Sequence, residues 1–243
     1  SGLDEKPVNI VFFMLESHRA VNAGFLKHRG AKRDATPFLN KIAKNGKSWD
    51  RLTVAGLPTI GAFISSHLGL LETAKKHIGT DFPELHAKSF VQVLKEKGYY
   101  THFFSAADPS WDNQTPWINK WYNALTYDRK RETDRSMYRH MGQWMQDSLG
   151  GKQPFFISSM TKTNHYPFNG TSEENFPDVE DLNVKMANTM KYAEKAMEEL
   201  MLAIEKASWY NNTLFFFMAD HGFALGEHQE GGVVGGIYKE NSW

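Results

Sequence analysis

The chain has 243 residues, 41% of them hydrophobic and 23% charged, the composition of a folded domain and not of a disordered tail. Lys+Arg and Asp+Glu both total 28, so no global field draws the chain to nucleic acid or to an anionic membrane surface, and an anionic substrate must be held by local groups or a metal. The absence of cysteine excludes disulfides, thiolate metal sites and a cysteine nucleophile together.

Residues 8–15 form a continuous apolar run, followed at once by Glu16-Ser17-His18. Such a run reads as a parallel strand buried on both faces, and it is too short to cross a bilayer. Polar groups at its C-terminal end fall where open α/β sheets bind ligands. Thr36 and Pro37 read as the N-cap and first turn of an amphipathic helix that Gly46 closes. Residues 56–63 read as a turn leading into a helix, with Pro58-Thr59 at its start. Residues 90–97 read as a helix with Gly98 just past its end, and 100–105 as a strand. Residues 106–135, rich in Trp, Asp and Asn, read as irregular. A helix over 136–149 ends at Gly150-Gly151. The apolar run 154–160 reads as a strand that delivers Thr163-Asn164-His165. A long helix over 182–207 carries Met186, Met190, Met197 and Met201 at core spacing. Residues 213–218 read as a buried strand ending in Asp220-His221-Gly222, and the glycine-rich run 231–236 as a mobile tail. This alternation predicts the α/β class, a mostly parallel sheet sandwiched between helices, as one domain over 1–243.

Three strand ends therefore carry polar clusters, Glu16, His165 and Asp220-His221, and Thr59 opens a helix. Singly, each has an ordinary reading as a cap or a surface group. In a parallel sheet all four converge on one edge. Glu16, Asp220 and His221 supply two carboxylates and an imidazole, which suits one divalent ion, Mn2+ or Zn2+, with Mg2+ or Ca2+ as alternatives. A metal beside Thr59 lowers the pKa of its hydroxyl and makes it a nucleophile. The helix start adds backbone N–H groups and the positive end of a dipole. His165 is placed to hold a phosphate oxygen or to protonate a leaving group.

Residues 9–17, from Asn9-Ile10-Val11 to Leu15-Glu16-Ser17, resemble the first strand and metal-binding Glu of lipoteichoic acid synthases and related sulfatase-fold proteins of the alkaline phosphatase superfamily. Thr36-Pro37-Phe38-Leu39 resembles their TPFLN segment, and Thr163-Asn164-His165-Tyr166-Pro167-Phe168 their SNHFPF segment. Asn212-Thr213 with Asp220-His221-Gly222 resembles the sulfatase NT…DHG signature. The resemblance runs in order from about residue 8 to the end, and implies a fold that continues past residue 243. It implies that Thr59 is both nucleophile and metal ligand, with His165 on the substrate. It implies a phosphotransferase or phosphodiesterase of phosphoglycerol transferase type, acting on a phosphate ester or lipid head group. The expected place is the extracytoplasmic face of a bacterial membrane, reached through segments outside this chain.

Two departures refine that reading. Sulfatases convert a cysteine or serine to formylglycine in a C/S-x-P-x-R motif, whereas this chain reads Leu57-Pro58-Thr59-Ile60-Gly61 with no following arginine. The synthases place a substrate-binding arginine in a Phe-Trp-Asn-Arg segment, where this chain reads Ser110-Trp111-Asp112-Asn113-Gln114. Trp111, Asn113 and His228, the only histidine beyond the Asp-His-Gly run, become the candidate substrate contacts. His18 and Arg19 read equally as pocket lining or as an exposed helix start, and His67 as structural. Sulfate-ester hydrolysis on the same fold, or a non-catalytic binding domain, are the alternatives.

Overall fold

Five parallel strands form one sheet in the order β3-β2-β4-β1-β5. They are β1 (Asn9–Leu15), β2 (Tyr100–Ser105), β3 (Ala124–Thr126), β4 (Phe155–Met160) and β5 (Thr213–Ala219). Around them run α1 (Pro37–Asn45), α2 (Thr59–Leu68), α3 (Ile78–Asp81), α4 (Phe90–Glu96), α5 (Thr115–Trp121), α6 (Asp134–Ser148) and α7 (Leu182–Ile204). The computed structural model describes residues 7–29, 33–72, 76–131, 133–151, 153–171, 173–174 and 176–227. His228 and the glycine-rich run 231–236 lie outside the described residues.

Helices cover both faces of the inner strands, which are mostly apolar, whereas the edge strand β5, read from sequence as buried, leaves Leu214 and Phe216 exposed. On one face Val11, Phe13, Leu15 and Ile157 pack against Met141 of α6 and Met197 and Leu200 of α7. On the other, Met14, Phe103 and Phe156 pack against Phe63 of α2, Val91 of α4 and Trp117 and Trp121 of α5. The methionines at 186, 190, 197 and 201 are all buried, as their spacing predicts. Among the described residues no helix is long and apolar enough to cross a membrane.

The segment 106–135 is not irregular. It holds α5 and the short edge strand β3, which pairs His102 with Ala124. Trp117, Ile118 and Trp121 are wholly buried, so two turns suffice to anchor α5 despite its polar flanks. The long helix ends at Ile204 rather than 207. Gly98 takes φ 86 behind α4, the left-handed conformation expected after a helix end.

Thr36 does not cap α1 with its side chain. Its hydroxyl accepts the Gly24 N–H at 2.9 Å, and the free N–H of Leu39 donates instead to Glu194 Oε2 of α7 at 2.9 Å. A carboxylate from a neighbouring helix thus satisfies a helix start that the local sequence leaves open.

Candidate active site

The sheet register assembles the site. Leu15 of β1 lies opposite Ala219 of β5, so the next residues, Glu16 and Asp220, emerge side by side. Met14 lies opposite Met160 of β4, which brings Thr161 beside them, and its hydroxyl accepts the Glu16 N–H at 2.8 Å. Asp220 Oδ1 accepts the backbone N–H groups of Ser17 at 2.8 Å and His221 at 2.7 Å. Ser17, at φ 50, donates its hydroxyl to Glu16 Oε1 at 2.6 Å. Asn164 clamps the turn after β1, donating to the carbonyls of Glu16 at 3.2 Å and Ser17 at 2.9 Å. The Thr189 hydroxyl of α7 fixes Asn164 by donating to its Oδ1 at 2.6 Å.

Thr59 enters from α2. Its hydroxyl lies 3.3 Å from Glu16 Oε2 and 3.2 Å from His221 Nε2. His221 Nδ1 is 2.6 Å from the Gly222 carbonyl, so the ring proton belongs on Nδ1 and the lone pair on Nε2, the nitrogen that faces Thr59. Glu16, Thr59, Asp220 and His221 are all buried.

This set fits a divalent cation. One ligand atom each of Glu16, Asp220 and His221 lies within 4.8 Å of the others. Asp220 Oδ2 is buried without a hydrogen-bond partner, while it stands 3.4 Å from His221 Nε2. Burial, and then the charge of Asp220, push the Glu16 carboxyl well above the usual carboxylate range. Burial opposes charge on His221, but Asp220 and Glu16 outweigh it and raise its pKa. Two buried carboxylates in contact demand compensating positive charge, and two hard oxygens with one imidazole match zinc or manganese chemistry.

A cavity of about 340 Å³ opens over Glu16 and Thr59. Trp111, Asp112, Gln114, Lys162 and His165 line it. Trp111 stands edge-on to His165 at 5.6 Å, and His165 Nδ1 is 2.7 Å from the Tyr166 carbonyl. Asn113 does not line this cavity. The turn at Trp111-Asp112-Asn113 puts Asn113 at φ 51 and sends its amide to the Gly79 carbonyl at 2.9 Å, so the lining falls to its neighbours Asp112 and Gln114. Asp112 accepts the Ile60 N–H at the start of α2, and burial raises its pKa.

His18 and Arg19 are neither exposed nor part of the cavity lining. Both are buried; His18 Nδ1 is 3.1 Å from the Glu16 carbonyl, and Arg19 pairs with Glu227. His67 is structural, held between the Phe63 carbonyl at 2.7 Å and the Tyr122 hydroxyl at 2.8 Å. Sequence reasoning missed Asp134, which is wholly buried and accepts the N–H groups of Lys162 at 2.7 Å and Thr163 at 3.3 Å, so holding the turn that carries His165. The capping pair Thr133 and Ser136 marks the start of α6 but gives no sign of this role.

The family model named Sulfatase matches residues 8–243. The chain belongs to the sulfatase family. Among the relatives of this sulfatase-family chain is a lipoteichoic acid synthase-like protein of Bacillus subtilis, 23% identical over 229 residues that cover 88% of this chain and 36% of the relative. The chain thus spans about a third of the length of such relatives. A protein in the alkaline phosphatase superfamily from Vibrio parahaemolyticus superposes with a TM-score of 0.78 at 19% identity, over 90% of this chain and 56% of that one. The C-terminal periplasmic domain of EcEptC from Escherichia coli, solved in complex with zinc, gives a TM-score of 0.67 at 14% identity, over 92% and 66%. These likenesses show that the parallel sheet and its flanking helices are the alkaline phosphatase fold. Relatives of the sulfatase family are enzymes acting on phosphate or sulfate esters.

Proposed function

We propose that the chain is a metal-dependent phosphotransferase or phosphodiesterase that uses Thr59 as its nucleophile. The observation that carries this reading is the position of the Thr59 hydroxyl, 3.3 Å from Glu16 Oε2 and 3.2 Å from His221 Nε2, at the N-terminus of α2. Glu16, Asp220 and His221 would hold the cation, with Thr59 Oγ1 beside it. A bound divalent ion supplies Lewis acidity, lowering the pKa of a neighbouring hydroxyl and offsetting charge on a phosphoryl group.

Glu16 Oε2 orients the Thr59 hydroxyl and accepts its proton, while His221 Nε2 would be given to the cation. Thr59 Oγ1 then bonds to phosphorus as the bond to the leaving alcohol breaks. His165 at the rim holds a phosphoryl oxygen or returns a proton to that alcohol. In a second displacement an acceptor hydroxyl or water takes the phosphoryl group from Thr59 and frees its oxygen. Trp111, Asp112 and Gln114 contact the alcohol portion of the ester.

The likeness to a lipoteichoic acid synthase-like protein supports a lipid-linked phosphate ester as substrate, met on the extracytoplasmic face of a bacterial membrane. A second reading, sulfate-ester hydrolysis, is favoured by the family match. The threonine at position 59 stands against it, because formylglycine arises from cysteine or serine. The test is turnover of nitrophenyl phosphodiesters and nitrophenyl sulfate, side by side, by metal-loaded parent and Thr59→Ala proteins. Diester turnover that vanishes in the variant supports the reading. Full turnover in the variant, or sulfate as the preferred ester, would reject it.

A further inference from the structure

Two loops give the cavity over Thr59 its charge, and they differ in sign. The loop after β4 brings Lys162 and His165, and Lys162 is the only lysine or arginine in the lining. The loop after β2 brings Asp108, Trp111 and Asp112, and residues 106–119 contain no lysine or arginine at all. Asp108 stands exposed with its own partners. Its Oδ1 accepts the Ser110 N–H at 2.9 Å and the Ser110 hydroxyl at 2.7 Å. Those bonds, and then the charge of Arg129, hold its carboxyl below the usual range. Asp112 is different. It is held beside the nucleophile by accepting the Ile60 N–H, yet its Oδ2 is buried without a hydrogen-bond partner. The charges that bear on it are those of Glu16 and His221.

A carboxylate in this place works against a phosphoryl group at Thr59, because like charges in a partly desolvated cavity repel strongly. A divalent ion does not remove the conflict, since the carboxylates of Glu16 and Asp220 already balance its charge. A positive group on the substrate does remove it. Trp111, 74% exposed, offers an indole to the same cavity. An exposed indole next to a carboxylate attracts an ammonium through the ring quadrupole and the fixed charge together.

We propose that the ester processed at Thr59 carries a positively charged amino alcohol, whose ammonium rests against Trp111 and Asp112 while Lys162 and His165 face the phosphoryl oxygens. The inference rests on the Thr59 reading and deepens it by naming the head group.

The test is calorimetric titration of the metal-loaded protein with aminopropylphosphonate and with butylphosphonate. The two match in shape, differ in the ammonium, and hold a C–P bond that transfer to Thr59 does not cleave. The amine should bind about tenfold tighter. Asp112→Asn keeps an oxygen for the Ile60 N–H and should lose most of that preference. Trp111→Leu, at an exposed position, should weaken the amine about threefold. Equal affinity for the two phosphonates, tighter binding of butylphosphonate, binding of neither, or a preference that stays whole in either variant would each overturn the proposal. So would a second Mn2+ that the parent binds and Asp112→Asn does not, which would make Asp112 a metal ligand. Phosphonate affinity is read without turnover, so a Thr59→Ala protein that keeps diester turnover rejects the nucleophile alone and leaves the amine preference to be judged separately.

Discussion

Asp220 Oδ1 accepts the Ser17 N–H at 2.8 Å, tying the end of the edge strand β5 to the turn that follows its neighbour β1. One oxygen of this carboxylate therefore does structural work, accepting from Ser17 and from its own neighbour His221. The other, Oδ2, is left without a hydrogen-bond partner among Glu16, Thr59 and His221. A single residue thus divides the task of shaping the site from the task of charging it.

That division predicts the behaviour of Asp220→Asn. The amide oxygen can still accept from Ser17 and His221, so the fold should survive and circular dichroism should match the parent. The negative charge is gone, and affinity for Mn2+ or Zn2+ should drop by more than about tenfold. Titration calorimetry reads this directly. Unchanged affinity in a folded variant removes Asp220 from the ligand set.

Gly79 of α3 tests how closely α2 is positioned. A Cβ at Gly79 would lie 2.2 Å from Ile60 Cγ1, and Ile60 is buried next to Thr59. The Gly79 carbonyl also accepts from Asn113 Nδ2 and Trp117 Nε1, both at 2.9 Å, so its backbone has little room to retreat. Gly79→Ala should cost about 1–3 kcal/mol in urea unfolding through overpacking. Turnover should fall as well, because the strain is relieved by moving the start of α2. A variant as stable and active as the parent contradicts this tight seating.

The strands that build the site were legible because each is an apolar run ended by a polar cluster. Parallel pairing then forces Glu16, Thr161 and Asp220 onto one edge. The segment 106–135 was not legible. Its helix exposes only three buried anchors, Trp117, Ile118 and Trp121, within a polar stretch, and β3 is three residues long. Asn113 resembled a substrate contact by its place beside Trp111, yet its turn conformation points the amide at Gly79. Glu194 and Asp134 were silent for a related reason. Each acts across a large sequence separation on another element's backbone N–H, and no local pattern records such a partner.

Asp134 carries a prediction of its own. Its carboxyl is wholly buried under the Lys162 and Thr163 N–H groups, and burial raises its pKa to about 6 despite those donors. Asp134→Ala strands two backbone donors in the interior, a loss of about 1–3 kcal/mol. The turn after β4 loosens with it, so His165 loses its place at the rim. The expected signature is a lower urea midpoint together with reduced diester turnover, and more rapid amide exchange at Lys162 and Thr163. Native exchange rates at those amides contradict the assigned role.

Glu194 should make stability depend on pH. Burial first, then the charges of Asp34 and Glu198, raise its pKa from 4.5 to about 8, while N–H donation from Leu39 and Phe38 works against the rise. Its folded pKa exceeds its unfolded one, so the folded state binds the extra proton. The stability this group contributes is fully present below about pH 4.5 and is lost as pH rises through 8. One pKa unit corresponds to about 1.4 kcal/mol, so the loss amounts to a few kcal/mol at most. Glu194→Gln keeps an oxygen for the Leu39 N–H and cannot ionise. Urea midpoints measured across this range should therefore fall more steeply in the parent than in the variant. The gap between the two should close or reverse toward alkaline pH, where the parent buries a charge that the glutamine does not. Parallel profiles would place the titration elsewhere and leave Glu194 as a neutral cap of α1.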